Sequence, residues 1–281
     1  MITEEQLKNT PFSCDISNED YHGGPGLSNS GISLLLDCPK KYWDKYLNPD
    51  KPAQEQTPSL RLGNMVHCFL LEYEEFYKRY FVAPKTRKGT KAYDELVLVA
   101  GGREIIDVEE EDTLHKILKA VNEHKFAKHI LKHGHAEQSI FWHDSETGVL
   151  CKTRPDYMTQ NYIVDVKTTR SASWEDFGKS IANYGYHRQA ALALVGREAI
   201  SGLRDTNFIN LCIEPERPFI VSAFVMDDDA IKQGILEYKR GLRIFKQCSE
   251  ENYWPVYVEE LEEISVNQRF LNNRRNQYVS S

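Results

Sequence analysis

The sequence predicts an α/β protein in which helices pack on a β-sheet, and three observations carry that expectation. After residue 59, short β-rich runs alternate with longer amphipathic segments. Two of the runs, Val149 to Asp156 and Tyr162 to Thr169, are separated only by Tyr157 to Asn161, about the length of a hairpin connection. Leu62, Met65, Val66, Phe69, Leu70 and Tyr73 recur at helical rather than strand spacing.

Taken in order, residues 1–26 read as irregular, and Asn48 to Pro58 as a proline-marked connection into the helix of residues 62–73. Within that helix Gly63 and His67 are one turn apart and share a face, so the glycine is expected to let the helix approach the sheet. Pro84 to Gly102 is a polar loop region with a short helix around Tyr93 to Val99. The acids Glu109 to Asp112 suit the start of a helix, where negative charge meets the positive end of the dipole, and Thr113 to Leu131 continues it with Leu114, Ile117, Leu118 and Val121 on its apolar side. Glu137 to Trp142 is strand-like, with Glu137 expected as an exposed acid at the strand start. Beyond the hairpin come a helix carrying Tyr186-His187-Arg188-Gln189 and ending near Leu194, strands at Asn207–Ile213 and Phe219–Val225, and a helix from Asp228 to about Gln247. The simplest organisation is one domain over 1–281: an N-terminal extension (1–58), a core (59–260) and a polar tail (261–281).

The chemistry gathers on the hairpin. Side chains alternate faces along a strand, so Asp165 and Lys167 point one way while Val164 and Val166 point the other. Asp156 closes the preceding run, nine residues before Asp165, where pairing would bring the two carboxylates together. Two acids held that close repel, and a divalent cation between them relieves the repulsion. Hard oxygen ligands suit Mg²⁺, with Mn²⁺ as a substitute. Such a centre answers the needs of phosphodiester hydrolysis: neutralised charge, an activated water and a stabilised leaving oxygen. Lys167 would orient or deprotonate that water, its pKa lowered by the adjacent cations. An isolated Asp-x-Lys is more often a surface ion pair; His67, Gln189 with Tyr186, and Glu137 as an outer acid make the active-site reading specific.

Composition bounds the rest. A chain of 281 residues can bury a sizeable core, and its formal charge of −7 argues against a protein that coats DNA while leaving room for a local basic surface. The run Lys85-Thr86-Arg87-Lys88-Gly89-Thr90-Lys91 is the best candidate for a DNA-facing lip, and Arg274-Arg275 is a second. The six cysteines are scattered without a Cys-x-x-Cys pair, which indicates neither an iron–sulfur cluster nor a structural zinc. With no apolar stretch of membrane length and no secretory leader pattern, a cytoplasmic location is expected.

The ordered set His135-Ala136-Glu137-x-Ser139-Ile140-x-Trp142, Arg154-Pro155-Asp156, Ile163-Val164-Asp165-Val166-Lys167-Thr168-Thr169 and Tyr186-His187-x-Gln189 resembles the PD-(D/E)XK nuclease core in its histidine-bearing, RecB-like branch, and most of all the RecE-type exonucleases (exonuclease VIII family). Leu27-Ser28-x-Ser30 with Cys38-Pro39 extends the likeness upstream, and Trp254-Pro255 downstream. The resemblance implies a central mixed β-sheet flanked by helices, with an N-terminal helical extension. It implies His67, Asp156, Asp165 and the carbonyl of Val166 as metal ligands, Lys167 as the catalytic lysine, and Gln189 with Tyr186 as its supports. It further implies a 5′-to-3′ exonuclease on linear double-stranded DNA, of phage or prophage type, leaving a 3′ single strand for a RecT-type annealing protein. A ring-shaped homo-oligomer, such as a tetramer, is implied as well. One position departs: where several relatives carry a tyrosine four residues after the glutamine, this chain has Ala193.

Overall fold

A computed structural model of the chain describes residues 2–8, 10–52, 56–203 and 206–266; Arg274-Arg275 and most of the polar tail lie outside them. The N-terminal residues carry elements that local pattern does not announce: α1 (Glu4–Lys8), β1 (Phe12–Cys14) and α2 (Asn18–Gly23). After them come α3 (Asn29–Asp37), α4 (Pro39–Tyr42) and a π-helical turn at Trp43–Leu47. The histidine helix α5 (Pro58–Leu71) starts before the expected Leu62 and stops short of Tyr73: Pro58, read as part of the connection, sits in its first turn, and the Thr57 hydroxyl accepts from Leu60 N at 3.2 Å.

Next are α6 (Tyr73–Arg79), β2 (Tyr80–Ala83), α7 (Lys91–Ala100), β3 (Glu104–Asp107) and α8 (Val108–Glu123). Asp107 and Glu110 form a reciprocal capping box at the start of α8, so the acids expected there do begin a helix. The helix expected through Leu131 is interrupted at His124, and α9 (Ala127–Ile130) follows as a separate turn. Strands β2 and β3 pair in parallel with each other, a long-range pairing that neither four-residue run predicts by itself.

The remaining elements are β4 (His135–Ala136), β5 (Ser139–His143), β6 (Leu150–Thr153), β7 (Tyr157–Met158), β8 (Tyr162–Thr168), α10 (Trp174–Tyr184), α11 (Tyr186–Ser201), β9 (Asn207–Ile213), β10 (Val221–Val225) and α12 (Asp228–Glu251). They form a five-stranded mixed sheet in the order β10-β9-β8-β7-β4, parallel only between β8 and β9, beside an antiparallel sheet in the order β1-β5-β6. The run Val149 to Asp156 is therefore not one strand of a hairpin. Its first part belongs to the three-stranded sheet, and after Arg154-Pro155-Asp156 the chain crosses into the larger sheet as β7, which pairs with β8.

Helices cover both faces of the five-stranded sheet. Ile163 and Phe208 point into a core shared with α3, α11 and α12, while Val164, Val166, Ile209 and Leu211 point into a core shared with α5, α6 and α8. This is the α/β mixed-sheet architecture expected from the sequence. The N-terminal elements are woven into it: Phe12 stacks on the buried Phe141 at 5.2 Å, and α3 packs along α12. Among the described residues no helix is long and apolar enough to cross a membrane.

Candidate active site

The site forms because a strand ends early. The β7–β8 register pairs Tyr157 with Val164, and its continuation would set Pro155 opposite Val166. Proline has no N–H to give, so the ladder stops there. The Val166 N–H is taken instead by a side chain, donating to Asp156 Oδ2 at 2.6 Å. The N–H and C=O of one strand residue face the same edge, which leaves the Val166 carbonyl on the Asp156 side without a backbone donor opposite it.

Strand β8 then supplies the acid and the base. Both its faces are buried, yet Asp165 and Lys167 share one as expected: Lys167 Nζ lies 2.6 Å from Asp165 Oδ2. Beyond this ion pair the buried Oδ2 meets no other donor among the described residues. Gln189, in the first turn of α11, bridges the pair. Its Oε1 accepts from Lys167 Nζ at 3.0 Å and its Nε2 donates to Asp165 Oδ1 at 2.6 Å. Tyr186 lies against the same group, with Lys167 Nζ 4.6 Å from its ring centroid. Ala193, one turn beyond Gln189, is buried in the core.

Helix α5 brings His67 to the opposite side of Asp156, with Nδ1 3.4 Å from Oδ2. Gly63 does not have the role expected of it: a Cβ there would meet only Thr168 Oγ1 at 3.6 Å, ordinary contact, so no close helix approach depends on it. The residue that sequence reasoning undervalued is Glu137. It is half-buried with φ of 52°, its N–H donates to the Asp156 carbonyl at 3.1 Å, and one ligand atom each from His67, Glu137 and Asp156 lie within 4.8 Å of one another. An acid at the β4 end opposite the Pro-Asp turn was the available signal, visible only once β4 and β7 are known to pair.

Crowded, buried acids give the site its electrostatics. Burial, and then the Asp156 charge, push Glu137 up to about 7. Burial and the Asp156 charge likewise raise Asp165 to about 6, with Lys167 opposing. Burial opposes the imidazolium of His67, but Asp156 overrides it and carries that group up to about 9. Asp156 is held below the usual carboxylate range: burial works against it, and His67, Lys167 and the Val166 N–H outweigh burial. Lys167 moves up because burial is outweighed by Asp165 and Asp156, whereas the lowering expected from adjacent cations concerns the metal-bound site. A site that crowds buried carboxyl groups together is one whose donors suit a hard divalent cation. His67, Glu137, Asp156, Asp165 Oδ2 and the Val166 carbonyl are the groups that fit it.

A cleft of about 700 Å³ reaches His67, Glu137 and Asp156, walled by Asn64, Glu72 and Arg79 on one side and by the N-terminal Asp15, Asn18, Tyr21 and His22 on another; Lys167, Asp165 and Gln189 do not line it. The basic loop lines a different cavity. Lys85 and Lys88 face it together with Glu104, Asp107, Glu109 and Glu110; Lys85 Nζ pairs with Glu109 at 3.1 Å, and the exposed Lys91 lies 4.0 Å from Glu95. Arg87 is exposed on the same loop. Nearby acids thus offset much of the positive charge expected at this lip. All six cysteines are free thiols, five of them buried.

Comparison with known proteins agrees with this fold. A family described as a PDDEXK-like domain of unknown function (DUF3799) matches residues 28–267. Among solved structures, the chain is similar to a crystal structure from Eubacterium rectale described as "Putative exonuclease", with 14% identity, a TM-score of 0.63, and 92% of this chain and 98% of that one covered. Among curated proteins, none matches.

Proposed function

The chain belongs to the PDDEXK-like DUF3799 family, and from that membership we propose that it is a divalent-metal-dependent exonuclease acting on linear double-stranded DNA. The observation that carries the proposal is the convergence of Asp156, Asp165, Lys167 and Gln189 within hydrogen-bonding reach across the end of the β7–β8 ladder, with His67 and Glu137 beside them. Mg²⁺ is the cation proposed, with Mn²⁺ as its substitute, held by His67, Asp156, Asp165 and the Val166 carbonyl, with Glu137 added. When bound, the cation supplies charge neutralisation at the scissile phosphate and acidifies a coordinated water.

The protein's own groups do the rest. Lys167, fixed between Asp165 and Gln189, holds its ammonium where it would orient an attacking water and neutralise a phosphate oxygen by donating hydrogen bonds. Gln189 keeps that ammonium and Asp165 in register, and the Asp156 carboxylate, locked by the Val166 N–H, gives the centre a fixed edge. The 5′-to-3′ direction, the 3′ overhang passed to an annealing partner, and a ring-shaped assembly are part of the same proposal and rest on the resemblance of the motifs to RecE-type enzymes.

The test is purified protein with Mg²⁺ on two DNA forms. Linear duplex is expected to be degraded, from 5′-labelled ends first, while covalently closed circles stay intact and EDTA stops all turnover. Cleavage of closed circles would replace the exonuclease with an endonuclease of the same fold.

A further inference from the structure

Helix α10 ends in an aromatic corner of which the site described above uses only the inner ring, Tyr186. Tyr184 is its last residue, Gly185 turns the chain at φ +67°, and Tyr186 opens α11. The turn brings the Tyr184 and Tyr186 rings to a centroid distance of 5.6 Å, tilted by 34°. On its inner side Tyr186 stacks on the buried Phe177 and carries the Lys167 ammonium 4.6 Å from its ring; Tyr184, outermost, is 65% exposed. A continuous contact path therefore runs from the active lysine through one ring to a second ring open to solvent.

The corner is held rigidly. A Cβ at Gly185 would lie 2.2 Å from Arg188 Nη2, and the buried Arg188 guanidinium is tied to Asn29 Oδ1 at 3.0 Å, Ser33 Oγ at 2.5 Å and Glu237 Oε2 at 2.8 Å, binding α11 to α3 and α12. Ten residues before Tyr184, at the other end of α10 and about 80° round the helix axis from it, Trp174 is 79% exposed. The α-helical rise sets these two open rings about 15 Å apart along the axis.

We propose that Tyr184 is a base-stacking residue, receiving the nucleobase of the nucleotide whose phosphate lies at Lys167, with Trp174 a second platform further along the same strand. The inference rests on the nuclease reading and deepens it by naming the form of substrate. A base inside a duplex has both its faces covered by neighbouring pairs, whereas a terminal or unpaired base offers a free face. An exposed ring one contact removed from the active ammonium thus selects a frayed end over duplex interior. Stacking is indifferent to base identity, so the contact supports degradation without sequence preference.

The test uses the full chain and a linear duplex with two unpaired terminal nucleotides, one of them 2-aminopurine, in Ca²⁺ for binding and Mg²⁺ for turnover. The parent protein is expected to quench 2-aminopurine on binding. Tyr184→Phe and Tyr184→Trp retain the quench, while Tyr184→Ala loses it and raises KM for the duplex about tenfold with kcat little changed. Trp174→Ala is expected to weaken quenching only when the probe sits further into the single strand. Unchanged quenching and KM in Tyr184→Ala, beside a parent that degrades the duplex, would overturn the stacking role alone. A loss of kcat and of thermal stability with the quench intact would also overturn it, in favour of a purely structural tyrosine. A parent that neither binds nor cuts the duplex would overturn this inference and the nuclease reading together.

Discussion

At the scale of single residues, the site separates groups that hold the reacting centre from groups that hold those groups. Lys167 belongs to the first kind, and Lys167→Ala is expected to reduce turnover by at least about a thousandfold while leaving the fold intact, measured by initial rates on linear duplex and by thermal unfolding. Glu137 tests whether the cation site extends beyond the acid–acid–lysine set. Its charge, crowded against Asp156, is one that a bound cation would relieve. Glu137→Gln is therefore expected to raise the Mg²⁺ concentration for half-maximal activity by roughly ten- to a hundredfold, the range for losing a group that supports a metal, with much of the rate restored at high Mg²⁺. An unchanged Mg²⁺ titration would confine Glu137 to the cleft wall.

At the scale of elements, helix α12 is fastened to the β5–β6 hairpin by one buried carboxylate. Asp144 accepts from Tyr238 Oη at 2.8 Å, from the backbone and hydroxyl of Thr147 at 2.9 Å each, and from Lys239. Burial opposes its charge, but Lys239 and the other donors outweigh burial and hold Asp144 down at about 2. A carboxyl whose folded pKa lies below its unfolded one stabilises fully above the unfolded value and loses that contribution as pH falls through the folded value. Asp144→Asn is thus expected to cost about 3 kcal/mol in urea unfolding at pH 6, with the gap from the parent narrowing as pH drops from about 4 towards 2. A gap that stays constant over that range would remove the charge from the explanation.

The elements also show what the sequence made legible. The positions of α5, α8, β8, β9, β10 and α12 could be read because each carries its own period, and α8 has a cluster of acids at its start. The grouping of His67, Asp156, Asp165, Lys167 and Gln189 could be read because chemistry of one kind recurs in one order along the chain. The missed strands and the place of Glu137 share a cause, which is pairing over long distances. Strand β1 exists through β5, β2 through β3, and the identity of Glu137 as a site residue depends on β4 meeting β7. No window of sequence contains both partners.

At the scale of the whole molecule, the N-terminal elements close the structure rather than precede it. Lys152 and Arg154 leave β6 as two cations, Lys152 buried and Arg154 half-buried, and donate to backbone carbonyls of that segment, Lys152 to Tyr21 at 2.6 Å and Gly24 at 2.7 Å, Arg154 to Ile16 at 2.9 Å. Burial lowers the Lys152 ammonium to about 8, with the Arg154 charge adding to the effect. Removing residues 1–24 would strip both cations of these acceptors, uncover Phe141 and delete one wall of the cleft. The truncated chain is expected to melt on the order of 10 °C lower and to lose activity on linear duplex. A truncated chain with the parent's melting temperature would show the segment to be dispensable.

The early end of the β7–β8 ladder has one more consequence. In most sheets safety lies in every rung being made; here the molecule depends on one rung staying unmade, and the guarantee is a hydrogen that proline never possessed. Any residue with an N–H at position 155 would offer the backbone a competing way to close this seam, and a seam zipped one step further would cover the very edge proposed to hold a cation.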